Sequence, residues 1–152
     1  MTKSQLRLTI EQDDTLTVVI HAKVTTSTFS GYSAAHFEPM SVRQTFVPAL
    51  MAFPLSSDNP ATLEGGFWKQ GVQGQLDQIH LRVVVRPHGT RGAILVHTDV
   101  ATEVWNGADV DLQQTCTARF LTSYEELNRF ASALDQALGA MSGEVALSAM
   151  EL

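Results

Sequence analysis

A single cysteine, Cys116, stands in 152 residues, so an intramolecular disulfide framework is excluded. Basic residues are scarce, ten Lys and Arg against sixteen Asp and Glu, for a formal charge of −6. That balance argues against a surface for nucleic acid or anionic membrane, which needs clustered Lys and Arg, and it permits a basic partner. No apolar run approaches membrane-spanning length, and Met1 to Arg7 lacks the apolar core of a signal peptide. A soluble, cytoplasmic protein is expected. Metal-ligand spacing is missing too: His21, His36, His80, His88 and His97 are scattered, with no His pair at i, i+4 and no Cys-x-x-Cys. Gly65-Gly66 and Gly71-x-x-Gly74 fall between expected strands, whereas phosphate-binding glycine turns lead from a strand into a helix. Neither a metal nor a cofactor is therefore expected. Cys116 belongs to the inward face of an expected strand, where a thiol serves as a small hydrophobe. The sequence shows no convincing repeat, charge block or low-complexity tract.

What is present suits one globular domain over residues 1–152, with 44% hydrophobic and 17% charged residues. The clearest element is a helix over Thr122 to Gly139. Thr122 with Glu125, and Ser123 with Glu126, each have the form of a capping box, and both carboxylates suit the positive helix end. Leu127, Phe130, Ala131, Leu134 and Leu138 then make one apolar stripe, and Gly139 is the expected left-handed stop. Such a stripe belongs against a sheet.

Strands are expected where apolar residues alternate. Leu6, Leu8 and Ile10 form one run, and Leu16 to Val24 form another across the turn Gln12-Asp13-Asp14. Tyr32 to Arg43 is a weaker third candidate, with Pro39 tolerable only at an edge or bulge. A short helix follows, starting at Thr45 so that Pro48 lies in its first turn, and Pro54 closes it. Ala61 to Trp68 is strand-like. Ile79 to Val85 and Ile94 to Val100 give the strongest alternation, and Asn106-Gly107-Ala108-Asp109 reads as a tight turn into Gln113 to Leu121. Glu144 to Ser148 is a last short strand. The expected class is α+β, a largely antiparallel sheet with one short and one long helix packed on one face.

Pairing Arg86 with Ala93 would set Arg82 opposite His97 and His80 opposite Asp99 on the face away from the helices. His80 beside Asp99 would be an oriented base and Arg82 an anion clamp, or all four would be ordinary cross-strand pairs on a solvated face. No nucleophile accompanies them by spacing. Trp68, Trp105, Tyr32 and Phe67 are residues of the kind that anchor interfaces, although each is expected in the core.

The order of elements resembles a group of small bacterial proteins similar to WapI-type immunity proteins. The matching features are the phenylalanine-bearing helix Thr45 to Phe53, the strand Leu63-Glu64-Gly65, the hairpin Leu81 to Arg86 with Gly92 to Val96, and the helix Leu127 to Leu134. The resemblance implies two helices on an antiparallel sheet and a non-enzymatic partner, in its sharpest form a toxin neutraliser. It brings no catalytic residues.

The expected function is thus a non-enzymatic binding protein with a protein partner. The alternative is a small-ligand-binding or enzymatic domain using His80, Arg82, His97 and Asp99. A structural subunit joining through a sheet edge is a third reading, and a homodimer stays open.

Overall fold

The computed structural model describes residues 3–105 and 107–150. Among these, β1 (Gln5–Gln12), β2 (Val18–Thr25) and β3 (Ser30–Phe37) form a meander followed by helices α1 (Pro39–Gln44) and α2 (Phe46–Met51) and by β4 (Ala61–Trp68). The pattern then recurs as β5 (Leu76–His88), β6 (Ala93–Ala101), β7 (Thr115–Ser123), helix α3 (Tyr124–Ala140) and β8 (Ser142–Ser148). Each meander takes its fourth strand from the other unit: β8 pairs with β1, and β4 with β5. The result is two antiparallel four-stranded sheets, ordered β3-β2-β1-β8 and β4-β5-β6-β7. The fold is α+β, with one bent helical segment and one long helix. Among the described residues no helix is long and apolar enough to cross a membrane.

Alternation decides which face of each strand is buried. In the first sheet Leu6, Leu8 and Ile10 lie opposite Val24, Ala22 and Ile20, all buried. In the second, Leu63, Val83, Thr98 and Ala118 form one inward row across four strands. These faces share one apolar cluster with the helix stripe Leu127, Phe130, Ala131, Leu134 and Leu138. Burying each large aliphatic or aromatic side chain contributes about 1.5–3 kcal/mol.

Strand β3 makes the closest contact between the sheets. It touches every strand of the second sheet, so it crosses those strands, as in orthogonal sheet packing. Its inward row is Gly31, Ser33, Ala35 and Phe37, mostly small residues. A Cβ at Gly31 would lie 2.6 Å from Cys116 Cβ and Val100 Cγ2, and one at Gly65 would lie 2.6 Å from Phe37 Cζ. Cys116 is therefore packing material, half-buried beneath β3.

The helices follow the expected logic with shifted boundaries. Pro39 starts α1 at its first position, where a missing N–H costs nothing, so Pro39 to Arg43 is helical where the sequence suggested strand. Pro48 lies in the first turn of α2. There it cannot bond the Gln44 carbonyl and crowds it, which accounts for the break at Thr45. In α3, Ser123 is the cap, its Oγ accepting the Glu126 N–H at 3.2 Å. Thr122 instead donates to the Ser148 carbonyl at 2.8 Å. Glu126 accepts from Arg129 and from the Ser148 N–H, so it ties α3 to β8 rather than reaching back to the cap. The expected stop at Gly139 is corrected: the helix continues to Ala140 and Met141 takes the left-handed position, φ 56°. Gly139 is small for another reason, since its Cβ would lie 2.9 Å from Arg43 Nη1, whose guanidinium crosses from α1 to bind Asp135.

The crowding at Gly31 makes a prediction. Gly31→Val should destabilise the protein by about 1–3 kcal/mol in chemical denaturation, since β3 must lift off the second sheet. Val at the exposed neighbour Tyr32 should cost far less.

Candidate functional site

The β5–β6 hairpin closes two residues later than expected. His88 pairs with Ala93, and the turn between them carries Gly89 and Gly92 at φ 67° and 83°. Because the slip is an even step, the apolar faces stay together, but Arg82 now opposes Asp99 and His97 opposes Val84. Three of the four expected patch residues, Arg82, His97 and Asp99, do meet on the outer face of the second sheet.

The flanking strands complete a ladder there. Arg82 donates through Nε and Nη2 to Glu64 Oε2 at 3.0 and 2.8 Å. His97 Nε2 donates to Asp99 Oδ2 at 3.0 Å, and Thr117 Oγ1 donates to Asp99 Oδ1 at 2.5 Å. Arg119 Nε donates to His97 Nδ1 at 3.1 Å. That donor fixes the tautomer, leaving the Nε2 proton for Asp99. Both ring nitrogens of His97 are engaged, so none is free to take a proton from a substrate. The ladder is half-exposed, and pairs of this kind contribute only a few tenths to about 1 kcal/mol each. Its imidazole and carboxylates are occupied with one another and with the neighbouring arginines.

His80 is corrected out of the patch. Gly65 pairs with Leu81 and Gly66 with Ile79, so His80 is the extra residue of a β-bulge and pairs with neither. Gly66 makes the bulge possible: its φ is 158°, and a Cβ there would lie 2.0 Å from the Gln78 carbonyl oxygen. His80 is 3% exposed, and its ring packs nearly perpendicular to that of Phe67 with centroids 4.6 Å apart. Its Nε2 donates to Gln78 Oε1 at 2.5 Å. Gln78 Oε1 also accepts the Val104 N–H at 2.9 Å, and Gln78 Nε2 donates to the Val104 carbonyl at 3.1 Å. The connection from β6 to β7 is thereby pinned to β5. Burial pushes His80 below its ordinary pKa, and the nearby Glu103 charge opposes that effect.

Over this pinned floor opens a cleft of about 820 Å³, between the end of the β4–β5 hairpin and the segment after β6. Phe67, Trp68, Asp77, Glu103 and Trp105 line it. The expectation of core aromatics fails for Trp68 and Trp105, which are 54% and 69% exposed. Phe67 and Tyr32 are exposed as well, Tyr32 on the other sheet against His21. The chain has two tryptophans, and both line this one cleft. The tight turn expected at Asn106-Gly107 cannot be traced, because Asn106 lies outside the described residues. Gly107 has φ 85°, and a short 3-10 turn at Val110–Leu112 precedes β7.

Sequence reasoning missed the cleft because it judged each aromatic separately. The available signal was position: Trp68 ends a strand broken by Gly65-Gly66, and Trp105 precedes Asn106-Gly107. Among the described residues no group of three or more His, Cys, Asp or Glu is placed to hold a metal ion. Comparisons with protein-family models, curated proteins and solved structures return no match to this chain.

The buried imidazole gives a pH signature. With its folded pKa below the ordinary 6.5, His80 stays neutral in the folded chain at pH values where the unfolded chain binds a proton. Its contribution to stability is complete above about pH 6.5 and should fall as pH drops towards the folded value. Denaturation of wild type and His80→Gln across pH 4.5–8 should show a difference that narrows on acidification. A difference that is flat with pH would contradict the buried neutral ring.

Proposed function

We propose that the protein is a non-enzymatic binding protein that meets a macromolecular partner through the cleft bearing Trp68 and Trp105. The observation that carries this reading is that both tryptophans stand more than half exposed in the same concavity. Tryptophan is mostly buried on average, and exposed indole surface gathered in one place is what an interface anchor requires. The polar ladder supports the same reading, because its histidine and carboxylates are occupied with one another. A toxin neutraliser is the sharpest form of this function, supported by the resemblance to immunity proteins.

Affinity capture from the source cells, run in parallel with wild type and Trp68→Ala/Trp105→Ala, tests it. Wild type should retain a specific protein, and the variant should bind it at least about thirtyfold more weakly, as loss of one hot spot of about 2 kcal/mol implies. Its thermal midpoint should be unchanged, since neither indole belongs to the core. Capture that ignores the two substitutions, or no specific partner at all, would defeat the proposal.

A further inference from the structure

We infer that the group the cleft receives is the guanidinium of an arginine on a protein partner. This rests on the binding reading above and adds the chemistry of the contact.

Three observations lead there. Phe67, Trp68 and Trp105 line the cleft, and the negative quadrupole of an aromatic face attracts a cation and lets a planar guanidinium stack. Asp77 and Glu103 line the same cleft, both exposed, and neither forms an ion pair among the described residues. Against these two carboxylates the lining carries one cation, Lys69, so the local charge favours a positive visitor, as the net charge of −6 does at longer range. The Gln78–Val104 pair ties the floor of the cleft to β5.

Continuity of the surface favours a peptide segment over a small free ion. A second hollow, of about 430 Å³, shares Asp77, Gln78 and Val110 with the cleft and extends to Arg82 and Asp99 of the ladder. Asp77 stands at the junction. An extended chain with its arginine among the aromatics would run over Asp77 onto the outer sheet face.

Because both tryptophans line the cleft, intrinsic fluorescence reports binding directly. The probes are acetyl-Gly-Arg-Gly-amide and its citrulline counterpart, which keeps the shape of arginine and removes its charge. The arginine peptide should give a saturable change in emission with a dissociation constant in the millimolar range. The citrulline peptide should bind at least about tenfold more weakly, as loss of roughly 1.4 kcal/mol implies. Asp77→Asn/Glu103→Gln should weaken the arginine peptide about fivefold and leave the citrulline peptide unchanged. Equal binding of both peptides, preference for an acidic peptide, or no response up to about 10 mM would overturn the inference. If the arginine peptide fails while a captured partner still depends on Trp68 and Trp105, the cationic assignment falls and the binding reading stands. If capture also fails, both fall.

Discussion

Strand β3 crosses the inner face of the second sheet so closely that one methyl group at Gly31 would sit 2.6 Å from the side chains of Val100 and Cys116. This approach is what lets two small sheets share one core. Ser33 and Ala35 continue the narrow row, and Gly65 answers it from β4, beneath Phe37. With the sheets in contact here, the stripe of α3 and the short helices close the remaining apolar surface. The contact has a cost: Ser33 Oγ and Thr98 Oγ1 are buried without a hydrogen-bond partner among the described residues. Leaving a hydroxyl so placed costs about 1–3 kcal/mol, offset by the close packing around it.

That constraint also sorts the chemistry of the second sheet. Its inner face is buried in the shared core, so ionisable residues are driven to the outer face, where Glu64, Arg82, Asp99, His97 and Arg119 bind one another. The exception is the bulge at Gly66. One extra residue turns His80 away from the ladder to lie beneath Phe67, and Gln78 then ties down Val104. Trp68 at the end of β4 and Trp105 in the connection after β6 stand exposed beside the bulge. The bulge thus supplies the floor of the cleft, and the connections after β4 and β6 supply its walls.

The elements were largely legible from the residues. Alternation from Leu6 to Ile10 and from Ile94 to Val100, and the stripe from Leu127 to Leu138, require no tertiary information to read. Division into two sheets was hidden, because inward residues look alike whichever sheet they face. The ladder was half legible. Face assignment survives an even slip, so Arg82, His97 and Asp99 stayed together, while the exact pairing depended on where the turn closed. His80 was misplaced because a bulge shifts one residue without altering the regular alternation from Leu81 to Val85 that follows it. The cleft was least legible, since it joins residues from segments far apart in sequence.

The crossing of β3 over the second sheet can be measured directly by nuclear Overhauser contacts in the labelled protein. A strong contact between the Gly31 α-protons and the Val100 methyl group, with a second to the Cys116 β-protons, is the expected result. Gly31 contacts confined to Val24 on the neighbouring β2, with none to β6 or β7, would contradict the account.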